Sequence, residues 1–248
     1  MRASILIGIV AIASATMPAF GQVACVARSG TTRAHLVELY TSEGCSSCPP
    51  ADDWLNRIHD DSAIVPLAFH VDYWDSSRWR DRFSEARFTE RQRVLAARSG
   101  SGVVYTPEVA VDGHEWGEWG HQALPSSLAS STGTLILHVA PGELMRVSLD
   151  VSGISGADAR AYFAVTENGL VSRVQGGENR GVTLHHDHVV RAFAGPLALS
   201  RPEADLPLPD ALDIATTTLV AFVQNPRSGE VAAVVQMPLA ECANSKAR

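Results

Sequence analysis

Lysine is all but missing from this chain. Lys246 is the only one, so the 20 Lys+Arg positions are almost entirely arginine; against 27 Asp+Glu they leave a formal charge of −7. A net acidic protein has no long-range attraction for nucleic acid or for an anionic membrane surface, which sets both partners aside. Long apolar runs are scarce as well. The run Ile5 to Ala15 is shorter than the roughly 20 residues that a membrane-spanning helix needs, and no other stretch competes with it. Cysteine is sparse, at four, and there is no second Cys-x-x-Cys, which argues against a zinc ribbon.

What is present starts with an address. Met1-Arg2 gives a small positive start, the apolar run follows, and Ala19-Phe20-Gly21 offers small residues at a cleavage site. That pattern predicts a secretory signal peptide over residues 1–21 and a periplasmic or secreted mature protein, with no stable membrane association once the signal is cut. In an oxidising compartment four cysteines suggest two bridges. Cys45 and Cys48 form one obvious pair. Cys25 and Cys242, near the two mature ends, are the partners left; the rival reading is a lipid-modified Cys25, against which Gln22 stands where a lipobox wants leucine or a similar apolar residue. A bridge between those ends would close nearly the whole mature chain, worth roughly 5 kcal/mol of chain entropy before strain.

Along the chain, residues 22–33 lack periodicity and read as a leader. His35 to Tyr40 alternates as a strand does. A turn-like link then leads into Cys45-Ser-Ser-Cys48-Pro49-Pro50, and a helix starts near Cys48 or Pro49, because proline fits a helix only at its beginning. Asp52 and Asp53 in that first turn suit the helix dipole. Ala63 to Val71 reads as a central strand, residues 81–98 as a second helix, Glu108–Val111 and His114–Trp116 as a hairpin about Asp112-Gly113, and 118–130 as a last helix. The order is that of a thioredoxin-like α/β domain, expected over 34–131. After a Ser/Thr stretch the pattern changes to turn-separated strands without evident helix, which predicts a second, all-β antiparallel sandwich-like domain over 134–240.

A thiolate attacks a disulfide and a thiol does not, so a cysteine at a helix entrance, favoured by the dipole and free N–H groups, is placed for exchange. Cys45 is expected as the more exposed attacker and Cys48 as the resolver. Thr106-Pro107 precedes a strand, as a cis-proline loop facing such a disulfide should, and a cis bond is expected there. Glu38 is a candidate buried acid for deprotonating the resolving cysteine, the alternative being a strand-end carboxylate. His70, Asp72 and Trp74 lie at the end of the second strand and could shape a substrate groove; the alternative is packing. His185-His-Asp-His188 invites a metal reading, with His186 and His188 on one strand face, but no third ligand is identifiable, and neither metal nor cofactor is assigned. The arginine-rich stretch 78–98 reads as a solvated helix face rather than an anion site.

Leu36-Val-Glu-Leu-Tyr-Thr-Ser-Glu-Gly-Cys-Ser-Ser-Cys-Pro-Pro-Ala-Asp52, His70-Val-Asp-Tyr-Trp-Asp75, Tyr105-Thr-Pro107 and Gly177-Glu-Asn-Arg-Gly181 together resemble the bacterial secreted family known as domain of unknown function 1223. The resemblance implies a thioredoxin-like domain with a β-rich tail and carries no established activity. The sequence departs from ordinary thioredoxins in having Gly44 instead of tryptophan before Cys45, and in its Pro49-Pro50 pair. The functional expectation is an exported thiol–disulfide oxidoreductase acting on protein thiols with an unidentified redox partner. The alternatives are a non-catalytic binding scaffold braced by a structural Cys45–Cys48 bridge, and a copper or other metal-delivery protein.

Overall fold

The computed structural model describes residues 25–58, 63–100, 102–124, 130–140 and 144–245. The predicted signal segment, residues 1–21, lies outside them. In chain order the elements are β1 (Cys25–Arg28), β2 (His35–Thr41), α1 (Pro49–Asn56), β3 (Ile64–His70), α2 (Ala86–Ser99), β4 (Glu108–Val111), β5 (His114–Glu115), β6 (Thr134–Ala140), β7 (Leu144–Ser152) and β8 (Arg160–Glu167). There follow β9 (Leu170–Arg173), β10 (Thr183–His186), β11 (Val189–Ala198), β12 (Glu203–Pro207), β13 (Thr217–Gln224), β14 (Val231–Pro238) and α3 (Leu239–Ser245).

These strands do not divide into an α/β thioredoxin-like domain and a separate sandwich, and that expectation is corrected. The molecule is mostly β, built on one eight-stranded mixed sheet in the order β14-β13-β8-β11-β3-β2-β4-β5. The joint is β11 against β3, parallel at Val189 and Ala68, where the Ala68 amide donates to the His188 carbonyl. Strands from both halves of the chain thus hydrogen-bond into a single surface. Helix α2 lies across the joint. Its Phe88 and Leu95 share a core with Leu36, Tyr40 and Phe69 from one side and Tyr162, Phe193, Val220 and Phe222 from the other. Backbone edges β3 and β11 would each be exposed if the halves parted, so pairing them removes two edges at once.

On the opposite face, α1 covers β2, β3 and β4 through Ala51 and Leu55 packed on Val37, Leu39 and Val109. Trp54 touches Trp116 and Trp119 there, with ring centroids 5.9 and 6.1 Å apart. Over β8, β13 and β14 the same role falls to a four-stranded sheet, β1-β6-β7-β12, whose Leu135, Leu137, Val147 and Leu149 meet Phe163, Leu219 and Ala221. The alternating burial of β6 is that of a strand with one covered face.

Local expectations are corrected in several places. Residues 25–28 form an edge strand rather than part of a leader, pairing with β6. His186 and His188 do not share one strand: β10 ends at His186, β11 begins at Val189, and the chain breaks between them at His188, whose φ is +58°. The chain over 118–124 turns without forming a helix, and 125–129 lie outside the described residues. The C-terminal segment does end in a helix, α3, which carries Cys242 to its bond with Cys25, Cα to Cα 5.4 Å. No helix among the described residues is long and apolar enough to cross a membrane.

Candidate functional site

The site is built where β2 gives way to α1. Cys48 takes the N-cap position of α1, and Pro49 and Pro50 occupy the first helical turn, where their missing N–H groups cost nothing. The Cys45 amide donates to the Ser42 carbonyl, the Cys48 amide to Cys45, and the amides of Ala51 and Asp52 to Cys48. Cys45 and Cys48 are joined, Cα to Cα 5.4 Å. Both are fully buried, so the expectation of an exposed Cys45 is corrected; Ser46 and Ser47 between them reach solvent. Thr106 and Pro107 stand beside the bridge. Ser47 Oγ lies 3.3 Å from Cys45 Sγ and donates to the Thr106 carbonyl at 3.4 Å, and the Thr106–Pro107 bond is cis.

A loop from the far half of the chain covers the disulfide. It joins β9 to β10 and is the Gly177-Glu-Asn-Arg-Gly181 segment. The Glu178 amide donates to the Gly44 carbonyl at 3.0 Å. The Glu178 carboxylate accepts from the Ser46 amide at 3.0 Å and hydroxyl at 2.7 Å, which hold its pKa below the usual range. Buried Asn179 donates through Nδ2 to the carbonyls of Glu43 and Cys45, at 3.1 and 2.8 Å. Glycine is required where the two loops cross. A Cβ on Gly177, whose φ is +68°, would stand 2.6 Å from Gly44 Cα, and one on Gly44 would stand 3.1 Å from both Trp74 and Trp79. This crowding is why no large side chain precedes Cys45.

Beneath α1 lies a buried polar cluster. Along β2 the odd positions face α1, and along β3 His70 shares the α1 face with Ala68. His70 Nδ1 donates to Asp81 Oδ2 at 2.7 Å, and Asp81 also accepts from the amides of Glu43 and Phe83. The His186 ring, from β10, packs 5.2 Å from that of His70, and its Nε2 is 3.5 Å from Glu43 Oε1. Asp52 is buried against this group from above. His70 Nε2, His186 Nε2 and Glu43 Oε1 are buried without a hydrogen-bond partner. Among the described residues no group of three or more His, Cys, Asp or Glu is arranged to hold a metal ion.

Burial raises the Asp52 carboxyl above its usual pKa, against the opposing pull of His70, of His186 and of the Thr41 hydroxyl. Burial also weighs against a charged His70, but the adjacent Asp81 carboxylate and its hydrogen bond outweigh it, and the imidazole is raised. For Asp81 burial is likewise overcome, by His70 and the two backbone donors, and the carboxyl is lowered. The cluster therefore sets a carboxyl held low, Asp81, beside an imidazole and a carboxyl, His70 and Asp52, that each hold a proton to higher pH than usual. Cys48 and Asp52 are four residues apart at the start of one helix, so their side chains share a face.

Other sequence-named residues fall elsewhere. Glu38 points to the opposite sheet face, where Arg91 holds its carboxylate through bonds of 2.7 and 2.8 Å and the Tyr40 hydroxyl donates to it. It cannot serve Cys48. The expected groove of His70, Asp72 and Trp74 does not form as one surface. His70 is buried in the cluster, Asp72 accepts from the Thr89 hydroxyl of α2, and only Trp74 borders the disulfide, donating to Thr106 Oγ1 at 2.8 Å. His186 and His188 do not act together either, since His188 Nε2 meets the Ile58 carbonyl while His185 is exposed. Sequence reasoning missed Glu43, Asp81, Asn179 and the cluster role of Asp52. The i, i+4 spacing of Asp52 from Cys48 was the one readable signal.

The molecule is thus a mixed-sheet β protein with a covered Cys-x-x-Cys disulfide. It belongs to the family described as protein of unknown function (DUF1223), whose profile matches residues 36–224. No curated protein matches the chain. Among solved structures it is similar to protein AGR_C_4864 from Agrobacterium tumefaciens, at 20% identity over 81% of this chain and 90% of that one, with a TM-score of 0.50. It is also similar to HBP35 of Porphyromonas gingivalis, at 15% identity over 86% and 77%, with a TM-score of 0.58. Likeness at such identities is one of fold.

Proposed function

We propose that this chain is an exported thiol–disulfide exchange protein acting on protein thiols through Cys45 and Cys48. The reading rests on one arrangement: Cys48 and Asp52 share a helix face above a buried cluster whose Asp52 and His70 hold a proton to higher pH than usual, at a loop whose serines reach solvent. A substrate thiolate would bond to Cys45 Sγ as the Cys45–Cys48 bond breaks, and Cys48 would leave with the electron pair. Asp52 would give Cys48 its proton and be recharged through His70. A second substrate thiolate then displaces Cys45, leaving the substrate oxidised and both cysteines reduced, for a dithiol–disulfide partner to reoxidise. The reverse sequence reduces a substrate by the same steps. The 177–181 loop must lift for either direction, because both sulfurs are covered.

That burial favours a second reading, in which the Cys45–Cys48 bond is a permanent brace in a binding scaffold. Trapping separates the two. Cys48→Ser should accumulate mixed disulfides through Cys45 when expressed with its export signal, and identifying the trapped chains names the substrates. An empty trap, with a reduction potential below about −300 mV and no exchange, decides for the brace.

A further inference from the structure

The arginines of α2 are not spent alike. Arg87, Arg91 and Arg98, at spacings of four and seven, face the sheet on the side away from the disulfide. A cavity of ≈ 310 Å³ opens there between α2, β11 and the end of β13, at the lower end of the range for small-molecule sites. It lies where β11 loses register with β8, between Ala194 and Leu197, the kind of bulge that re-aims a strand beside a site. Its wall is aromatic: Tyr162 stacks on Phe222 at 5.0 Å and on Phe193 at 6.0 Å.

The positive charges differ in what answers them. Arg91 is neutralised by Glu38 and surrounded by the rings of Phe69, Tyr162, Phe193 and Phe222 at 5.1 to 5.6 Å, so it belongs to the floor. Arg87 pairs with Glu85 at the rim. Arg98 makes no direct ion pair with a carboxylate among the described residues, although Glu38 acts on it at longer range. Its guanidinium donates only to the carbonyls of Pro226 and Gly113, at 3.3 and 3.2 Å, and Nε is buried without a partner. A half-buried cation hydrogen-bonded to neutral carbonyls alone, with Glu38 acting on it only from beyond hydrogen-bond reach, stands at the mouth of a mostly apolar cavity whose other carboxylate, Glu90, turns to Arg93 and solvent; that leaves room for an anion on Arg98.

We propose that this cavity binds a small anion with a flat apolar body, an aromatic carboxylate being the class that fits. The carboxylate would lie on Arg98, and the ring between Val94 and Pro196 over the edges of Tyr162 and Phe193. The site is separate from Cys45 and Cys48, and its failure would leave the exchange reading untouched.

Isothermal titration of the oxidised mature protein with 1-naphthoate, and with the neutral 1-naphthamide, tests it. Saturable one-to-one binding of naphthoate is expected, weakened roughly tenfold or more by the amide and by Arg98→Met, the loss of one charge-assisted contact. Because Arg98 also ties down two loop carbonyls, Val94→Trp provides the second variant: it fills the mouth from an exposed helix position and should abolish binding. Equal affinity for the amide, unchanged affinity in Val94→Trp, or no saturable binding of naphthoate overturns the proposal.

Discussion

Asn179→Ala tests whether the loop over the disulfide is a gate. The wild-type amide is buried and makes two hydrogen bonds, to the Glu43 and Cys45 carbonyls. Removing it leaves both acceptors without that donor, at about 1–2 kcal/mol each, so the covered state loses about 2 kcal/mol or more. At about 1.4 kcal/mol per factor of ten, the open population rises about 30-fold at the least. If reduction proceeds through that opening, its rate follows the open population. The assay is reduction by excess dithiothreitol, quenched by alkylation, with the Cys45–Cys48 and Cys25–Cys242 peptides quantified by mass spectrometry. The first should be reduced about 30-fold faster or more, with the second unchanged as the control for global loosening. Equal acceleration of both bonds, or no change in the first, refutes the gate.

Asp52→Asn should slow Cys48 exchange about tenfold or more, by removing a proton donor. With the rate divided by the concentration of reductant thiolate, the wild-type value should fall as rising pH ionises Asp52 and the variant's should not; an unaltered pH profile contradicts the role. Burial, reinforced by Glu115 and opposed by the Gln92 hydrogen bond, pushes the Glu108 carboxyl up to about 7. Between its ordinary value and 7 the unfolded chain releases this proton first, so stability should fall as pH rises through that window and level off above it. The shift is worth up to about 3 kcal/mol, nearer 2 after solvent screening, and Glu108→Gln should flatten the fall in Tm against pH. Arg91→Met strands the buried Glu38 carboxylate and should lower the unfolding free energy by about 3 kcal/mol or more in urea titration. Adding Glu38→Gln should recover part of that loss.

The parts legible in the sequence are those with local causes. The alternation in His35 to Tyr40, the apolar run of β3 and the Asp112-Gly113 turn each mark an element through contacts a few residues apart. The prolines after Cys48 mark a helix start for the same reason. Short edge strands gave no such mark: β1 and β12 are strands because β6 and β7 offer them a ladder. Glu38 was misassigned because alternation says that a residue points to one face of a sheet without saying which face the disulfide occupies.

Local chemistry along the chain was enough to mark the Cys-x-x-Cys turn, the strands around it and the proline at residue 107. Only the assembled sheet decided that β11 would pair with β3, merging two expected domains into one. That single joint brings His186, Glu178 and Asn179 onto a disulfide more than 130 positions earlier in the chain. Spacing rules reach no farther than a helical turn or a hairpin, whereas burial and edge pairing act between surfaces, and those surfaces exist only after folding.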